Sequence, residues 1–223
     1  MMEENLIIRM FVDEDFDALN NTVRWNGKAR NKDETVAHHE MIATIFGRII
    51  VEEIFMPTEL QITHLVQQDM KLQIITAIMF HDFDEFITGD VLHHVKYNPH
   101  NGYQIKKMLE EFIDYKMKVL FDDEVPAEKM ILDACDPNEY IKLIVKVCDW
   151  LALLFYVSKE VSLGNKRFKR EWDYPVKKLK TCCSELLTFK HECEIVFGGL
   201  PLNFNVIQFL RDFDFNYILN YYE

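Results

Sequence analysis

A chain of 223 residues that is 49% hydrophobic, with only 7 Gly and 6 Pro, can bury one sizeable core, and we read residues 1–223 as a single domain. A formal charge of −12 excludes a broad nucleic-acid or anionic-membrane surface, because phosphate contacts need a basic face; any phosphate must be met locally. Five cysteines without a C-x-x-C pair, and an opening "MMEENLIIRMF" with neither a basic nor a long apolar segment, imply structural thiols in a reduced, cytoplasmic setting.

In chain order the pattern is helical nearly throughout. Residues 34–55 place Val36, Ala37, Ile42, Ile45, Phe46, Ile49, Ile50 and Ile54 at spacings of three and four, with Asp33 as the expected N-cap. After a break at Met56-Pro57-Thr58, residues 58–65 read as a short helix or a loop, and a helix is expected over about 67–82. Residues 102–121 repeat the amphipathic period. The longest apolar stretch, "LIVKVCDWLALLFYV" (143–157), is broken by Lys146 and Asp149 and is shorter than the ~20 residues of a membrane span, so a core helix over about 138–163, ended by Gly164, is expected. Helices at 175–194 and 205–219 follow, separated by the loop "VFGGLPLNFN" (196–205). The fold class is all-α.

Three places carry chemistry. The first is "FHDFDEFITGDVLHHVKY" (80–97), where a buried-looking run ends in an acidic burst; an adjacent His-Asp pair is expected roughly 0.6 times by chance here, so His81-Asp82 needs support. Asp149 supplies some, with Val145, Ala152 and Leu153 on its own helix face. A carboxylate there is paired with a core Arg or Lys, is rotated outward beside Lys146, or is a metal ligand. The third place is "ETVAHHE" (34–40); His38 or His39 alone reads as a satisfied core imidazole. Together, a His on one helix, a His-Asp pair ending the next and an isolated Asp on a later one offer two nitrogens and two carboxylates to a divalent transition ion lying between helices.

The order His39, His81-Asp82, Asp149 resembles the H…HD…D signature of the HD-domain metal-dependent phosphohydrolases. More narrowly, "RW" at 24–25, "ETVAHH" at 34–39, "HDFDEFITGD" at 81–90, "VKY" at 95–97 and "CDWLA" at 148–152 resemble the YfbR-like 5′-deoxynucleotidases, over about residues 20–165. The resemblance implies an HD-type helical bundle that hydrolyses a deoxynucleoside 5′-monophosphate, with residues 166–223 as a helical extension. It implies that His39, His81, Asp82 and Asp149 hold one ion (Mn, Co, Fe, Ni or Zn) and that Glu85 handles the attacking water. It also places Arg24 and Lys96 near the phosphate and Trp25 and Asp90 against the sugar, and implies a homodimer. Glu85, three residues after Asp82 and four after His81, lies on the same side as both if the helix continues. Apart from the resemblance, Arg24 and Trp25 read as a surface pair, Lys96 as a solvated lysine, and Asp90 as a helix cap. His64, His100 and His191 read as surface residues.

The chain departs from that family in two places. Glu40 stands where a serine is common, and "VLHH" (91–94) replaces a proline-containing turn, which alters the expected substrate loop. Two other readings stand beside the first. A triphosphohydrolase on the same ligands would draw further basic groups from Lys28, Arg30, Lys106 and Lys107. A catalytically silent HD-fold protein would bind a nucleotide or scaffold a partner. Two-metal phosphodiesterases of this class need extra histidines on later helices, and there is none between residues 101 and 190.

Overall fold

The computed structural model describes residues 18–25, 28–55, 61–89, 91, 95, 98–120, 133–200 and 202–221. The helices among them are α1 (Ala18–Asn21), α2 (Val36–Ile54), α3 (Gln61–Met79), α4 (Glu85–Thr88), α5 (Gly102–Leu120), α6 (Glu139–Ser162), α7 (Asp173–Thr188), α8 (Lys190–Val196), α9 (Asn205–Asp212) and α10 (Asn216–Tyr221), with a 3-10 helix at Lys166–Glu171. Among the described residues the only extended pairings are isolated bridges, Val23 with Thr35 and Phe55 with Leu202, so the all-α expectation holds.

Helix α6 is the axis of the molecule. Asn138 caps its start, its side chain accepting from the N–H groups of Tyr140 and Ile141, and Gly164, at φ 89°, turns the chain after its end. Burial of Ile144, Val147, Cys148, Ala152, Leu154 and Val157 gives it an apolar surface nearly all round, and it packs against α2, α3 and α7. Lys146 and Asp149 interrupt that surface.

Helix α2 buries a face rotated from the expected one. Ile45 and Ile49 are 51% and 55% exposed, while His39, Ala43, Gly47, Ile50 and Ile54 turn inward. The small residues decide this, because they let α3 come close: a Cβ on Gly47 would lie 2.4 Å from Ile78 Cδ1. Thr35, not Asp33, caps the helix, accepting from the His38 N–H, and Asp33 pairs instead with Arg30.

Other boundaries shift for local reasons. Helix α3 begins at Gln61, so residues 61–65 are its first turns, whereas the Met56-Pro57-Thr58 break lies outside the described residues. The helix does not run through His81-Asp82 but ends at Met79, and residues 80–84 form a turn. The expected 175–194 helix divides at Phe189 into α7 and α8. The expected 205–219 helix breaks where Phe213 is extended (ψ 136°) and the Asp214 side chain accepts from the Asn216 N–H, restarting the chain as α10. Gly198 and Gly199, at φ 77° and 70°, make the predicted loop, which returns to α2 through an Asn203 N–H to Ile54 carbonyl bond of 2.7 Å. Phe197, Leu202, Phe204, Ile207, Phe215 and Leu219 then join the core contributed by α2, α3 and α6.

Candidate metal centre

Three elements bring the ligand types together. His39 comes from the first turn of α2, His81 from the turn after α3 and Asp149 from the middle of α6; one donor atom of each lies within 4.8 Å of the other two. His39 Nε2 is 3.0 Å from Asp149 Oδ1, and His81 Nε2 is 3.8 Å from the same oxygen. Of the tandem pair it is His39 that is wholly buried and enters the site.

The outer nitrogens fix what the inner ones can do. His81 Nδ1 donates to the Ile78 carbonyl at 2.7 Å, so in the neutral ring Nε2 carries the lone pair; Nε2 is buried and has no hydrogen-bond partner. His39 Nδ1 lies 3.7 Å from Glu34 Oε1, beyond a hydrogen bond, and Nε2 faces Asp149 Oδ1; a proton on Nδ1 would leave Nε2 as the free base for a cation. Two such lone pairs facing one carboxylate repel unless a cation lies among them. In this arrangement the positive charge comes from a proton on His81 and from Arg24. Burial alone would lower the His81 pKa, but Asp82 and Asp149 outweigh it and push it up to about 10. Burial likewise works against ionised Asp149, yet the His39 and His81 imidazoles facing it hold its carboxyl well below the usual range.

Asp82 stands beside the set rather than in it. Its Oδ2 is 3.5 Å from His81 Nε2 and accepts from Arg24 Nη1 at 2.6 Å. Arg24 is 15% exposed and faces Asp82, Asp149, Glu85 and Glu34; these carboxylates overcome burial and raise its pKa. It is therefore no surface residue. Glu85 is 7% exposed and opens α4, its N–H donating to the Asp82 carbonyl at 2.9 Å, so it sits one turn beyond Asp82 across a turn rather than along a continuing helix. A cavity of about 250 Å³ opens beside the ligands, walled by His81, Asp82, Asp149, Cys135, Lys142 and Lys146.

Arg24 and Trp25 reach the site through the bridge at Val23 and Thr35, where the Arg24 N–H donates to the Glu34 carbonyl at 2.8 Å. Trp25 has φ 64°, a conformation costly for a side-chain-bearing residue, and its ring stacks on Tyr156 at 5.6 Å with the edge of Phe168 at 5.3 Å. Asp90, Lys96, His93 and His94 lie outside the described residues, whereas His64, His100 and His191 are exposed as expected.

The YfbR-like 5′-deoxynucleotidase family model matches residues 15–192, four-fifths of the chain. The chain belongs to that family. Curated YfbR-like relatives agree: the 5′-deoxynucleotidase yfbR of Photorhabdus temperata is 34% identical over 98 residues, 43% of this chain and 49% of that protein. A 5′-deoxynucleotidase of Pectobacterium atrosepticum is 31% identical over the same shares. The chain thus spans about half the length of the curated relatives it matches. A crystal structure of an HD-domain phosphohydrolase from Listeria innocua superposes with a TM-score of 0.56 at 17% identity, over 96% of this chain and 90% of that one, which establishes the HD-type fold of this YfbR-like chain. No helix among the described residues is long and apolar enough to cross a membrane.

One residue of this YfbR-like site escaped the sequence reading. Glu34, 1% exposed, lies against Arg24, Trp25 and His39. Its sequence signals were its place at the head of the "ETVAHH" block and just ahead of the cap of a helix with two histidines in its first turn.

Proposed function

We propose that the protein hydrolyses deoxyribonucleoside 5′-monophosphates to a deoxynucleoside and phosphate, using one divalent transition ion on His39, His81, Asp82 and Asp149. The observation that carries the reading is the pair of inward imidazole Nε2 atoms, one with its Nδ1 bonded to a carbonyl and the other with its Nδ1 beside a buried carboxylate, converging on Asp149 at the edge of a cavity. A bound ion would polarise the phosphoryl group and lower the pKa of the attacking water.

The side chains account for the remaining steps. Glu85, buried one turn beyond Asp82, orients the water and takes its proton. Arg24, already held by Asp82, offers its other donors to the phosphate, a pairing a guanidinium makes in bidentate fashion. Lys146 lines the same cavity. The sugar contacts of Trp25 and Asp90 and the phosphate contact of Lys96 follow from the resemblance. A homodimer, implied in the same way, is checked by light scattering.

The monophosphate is favoured over the triphosphate because the family matched and the relatives are named 5′-deoxynucleotidases, and the further cations considered lie in ion pairs of their own. Lys28 pairs with Glu171, Arg30 with Asp33, Lys106 with Glu110 and Lys107 with Glu111. The test is a panel of deoxy- and ribonucleoside mono- and triphosphates with Mn, Co, Ni, Fe or Zn. Release of inorganic phosphate from the deoxy monophosphates supports the reading, and release of triphosphate alone, or no hydrolysis with any metal, overturns it.

A further inference from the structure

Glu34 lies against Arg24, Trp25 and His39. Its Oε2 accepts from Trp25 Nε1 at 3.0 Å and lies 3.8 Å from Arg24 Nε. Its Oε1 is 3.7 Å from His39 Nδ1, and its backbone carbonyl holds the Arg24 N–H. A carboxylate that is 1% exposed is costly unless cations and donors compensate it, and here the compensating groups are an expected metal ligand, an expected phosphate contact and an expected sugar contact.

We infer that Glu34 is a positioning residue whose one carboxylate sets both the metal-holding ring of His39 and the Arg24-Trp25 wall. When an ion takes Nε2, the His39 proton must sit on Nδ1, 3.7 Å from Glu34 Oε1, and the carboxylate charge then attracts that N–H and holds the ring's orientation. On the other side, the indole bond anchors a tryptophan whose backbone sits at φ 64°, while Arg30 Nη1 and the Lys28 N–H hold the Trp25 carbonyl. Neither the ring of His39 nor the plane of Trp25 is then set independently of the other. Discrimination against a 2′-hydroxyl and affinity for the ion both pass through Glu34, although it touches neither substrate nor metal. The substrate half of this inference rests on the function proposed above, and the metal half does not.

Two variants of the full chain separate these duties. Glu34→Gln keeps an acceptor for the indole N–H but removes the charge facing His39 and Arg24, and Glu34→Ala removes both. Calorimetric titration of chelator-treated protein with Mn²⁺ or Zn²⁺ alone should show affinity about 10- to 100-fold weaker for both variants. The Trp25 indole N–H resonance, assigned with Trp25→Phe, should stay near its wild-type position in Glu34→Gln and move in Glu34→Ala, and only Glu34→Ala should lose the preference in kcat/KM for deoxy over ribo substrate. Wild-type metal affinity in Glu34→Gln, or an unmoved Trp25 resonance in a folded Glu34→Ala, overturns the inference. If Glu34→Ala does not fold, Glu34→Gln decides it through the metal titration. A wild-type protein without deoxynucleotidase activity would defeat the proposed function and leave these ligand-free measurements as the test of Glu34.

Discussion

His81 is useful because its two nitrogens have different surroundings. One is tied to the Ile78 carbonyl, so the other presents a lone pair to the site with its ring plane already fixed. Asp149, which receives both Nε2 atoms, is the residue whose loss leaves the most unpaired. Asp149→Ala should therefore abolish metal retention, measured as metal content after dialysis, and lower kcat/KM at least about 100-fold. A second residue-scale prediction concerns Glu40, the buried acid that follows His39. Burial raises its pKa to about 7 against partial relief from His81 and His39. A carboxyl raised from its ordinary value of 4.5 favours folding while protonated, and between pH 4.5 and about 7 the folded state binds more protons than the unfolded one, so stability falls as pH rises through that window. Glu40→Gln should accordingly stabilise the chelator-treated protein by roughly 2–3 kcal/mol at pH 8 and very little at pH 4.5, read from denaturant midpoints. Equal stabilisation at both pH values would refute this.

At the scale of elements, the contact of α2 with α3 determines where the ligands fall. His39 lies two helical turns before Gly47 on the buried face of α2, and Ile78, which packs over Gly47, also supplies the carbonyl that orients His81. Gly47→Ala should gain about 1 kcal/mol of helix propensity yet lose about 1–3 kcal/mol to overpacking against Ile78. Combined with Ile78→Val it should be non-additive, the double variant recovering about 1 kcal/mol relative to the sum of the single changes in thermal or denaturant unfolding. This contact also shows what was legible in the sequence. The three- and four-residue spacing revealed a helix over 34–55, but hydrophobicity placed Ile45 and Ile49 inward, because periodicity cannot tell that small residues beside a polar ligand make the closer interface. Asp149 was legible because it interrupts an apolar helix, whereas His39 and His81 were named by the resemblance to the H…HD…D order. Glu34 was not, since its role depends on the pairing of residues 22–25 with residues 34–36, a tertiary event with no local pattern. The turn at 80–84 was missed for a similar reason: the sequence has no Gly or Pro there to end α3.

At the scale of the whole molecule, a protein of net charge −12 sets Arg24 and His81 among Glu34, Asp82, Glu85 and Asp149, so occupancy of that cluster should govern both stability and pH response. The raised His81 pKa and the lowered Asp82 and Asp149 values act in opposite pH ranges. The two carboxylates stabilise the fold above the usual aspartate range and lose that contribution as pH falls toward their folded values. His81 contributes fully below its ordinary value of 6.5, and the contribution is lost as pH rises through about 10. An ion taking the place of the His81 proton must release it, so apparent metal affinity should rise about tenfold per pH unit between pH 6.5 and 9. Titrating the chelator-treated protein with Zn²⁺ at pH 7 in buffers of different ionisation enthalpy should therefore report release of about one proton per ion. Release near zero would mean that the ion leaves His81 protonated, and the centre would have to be assembled from His39 and the carboxylates alone.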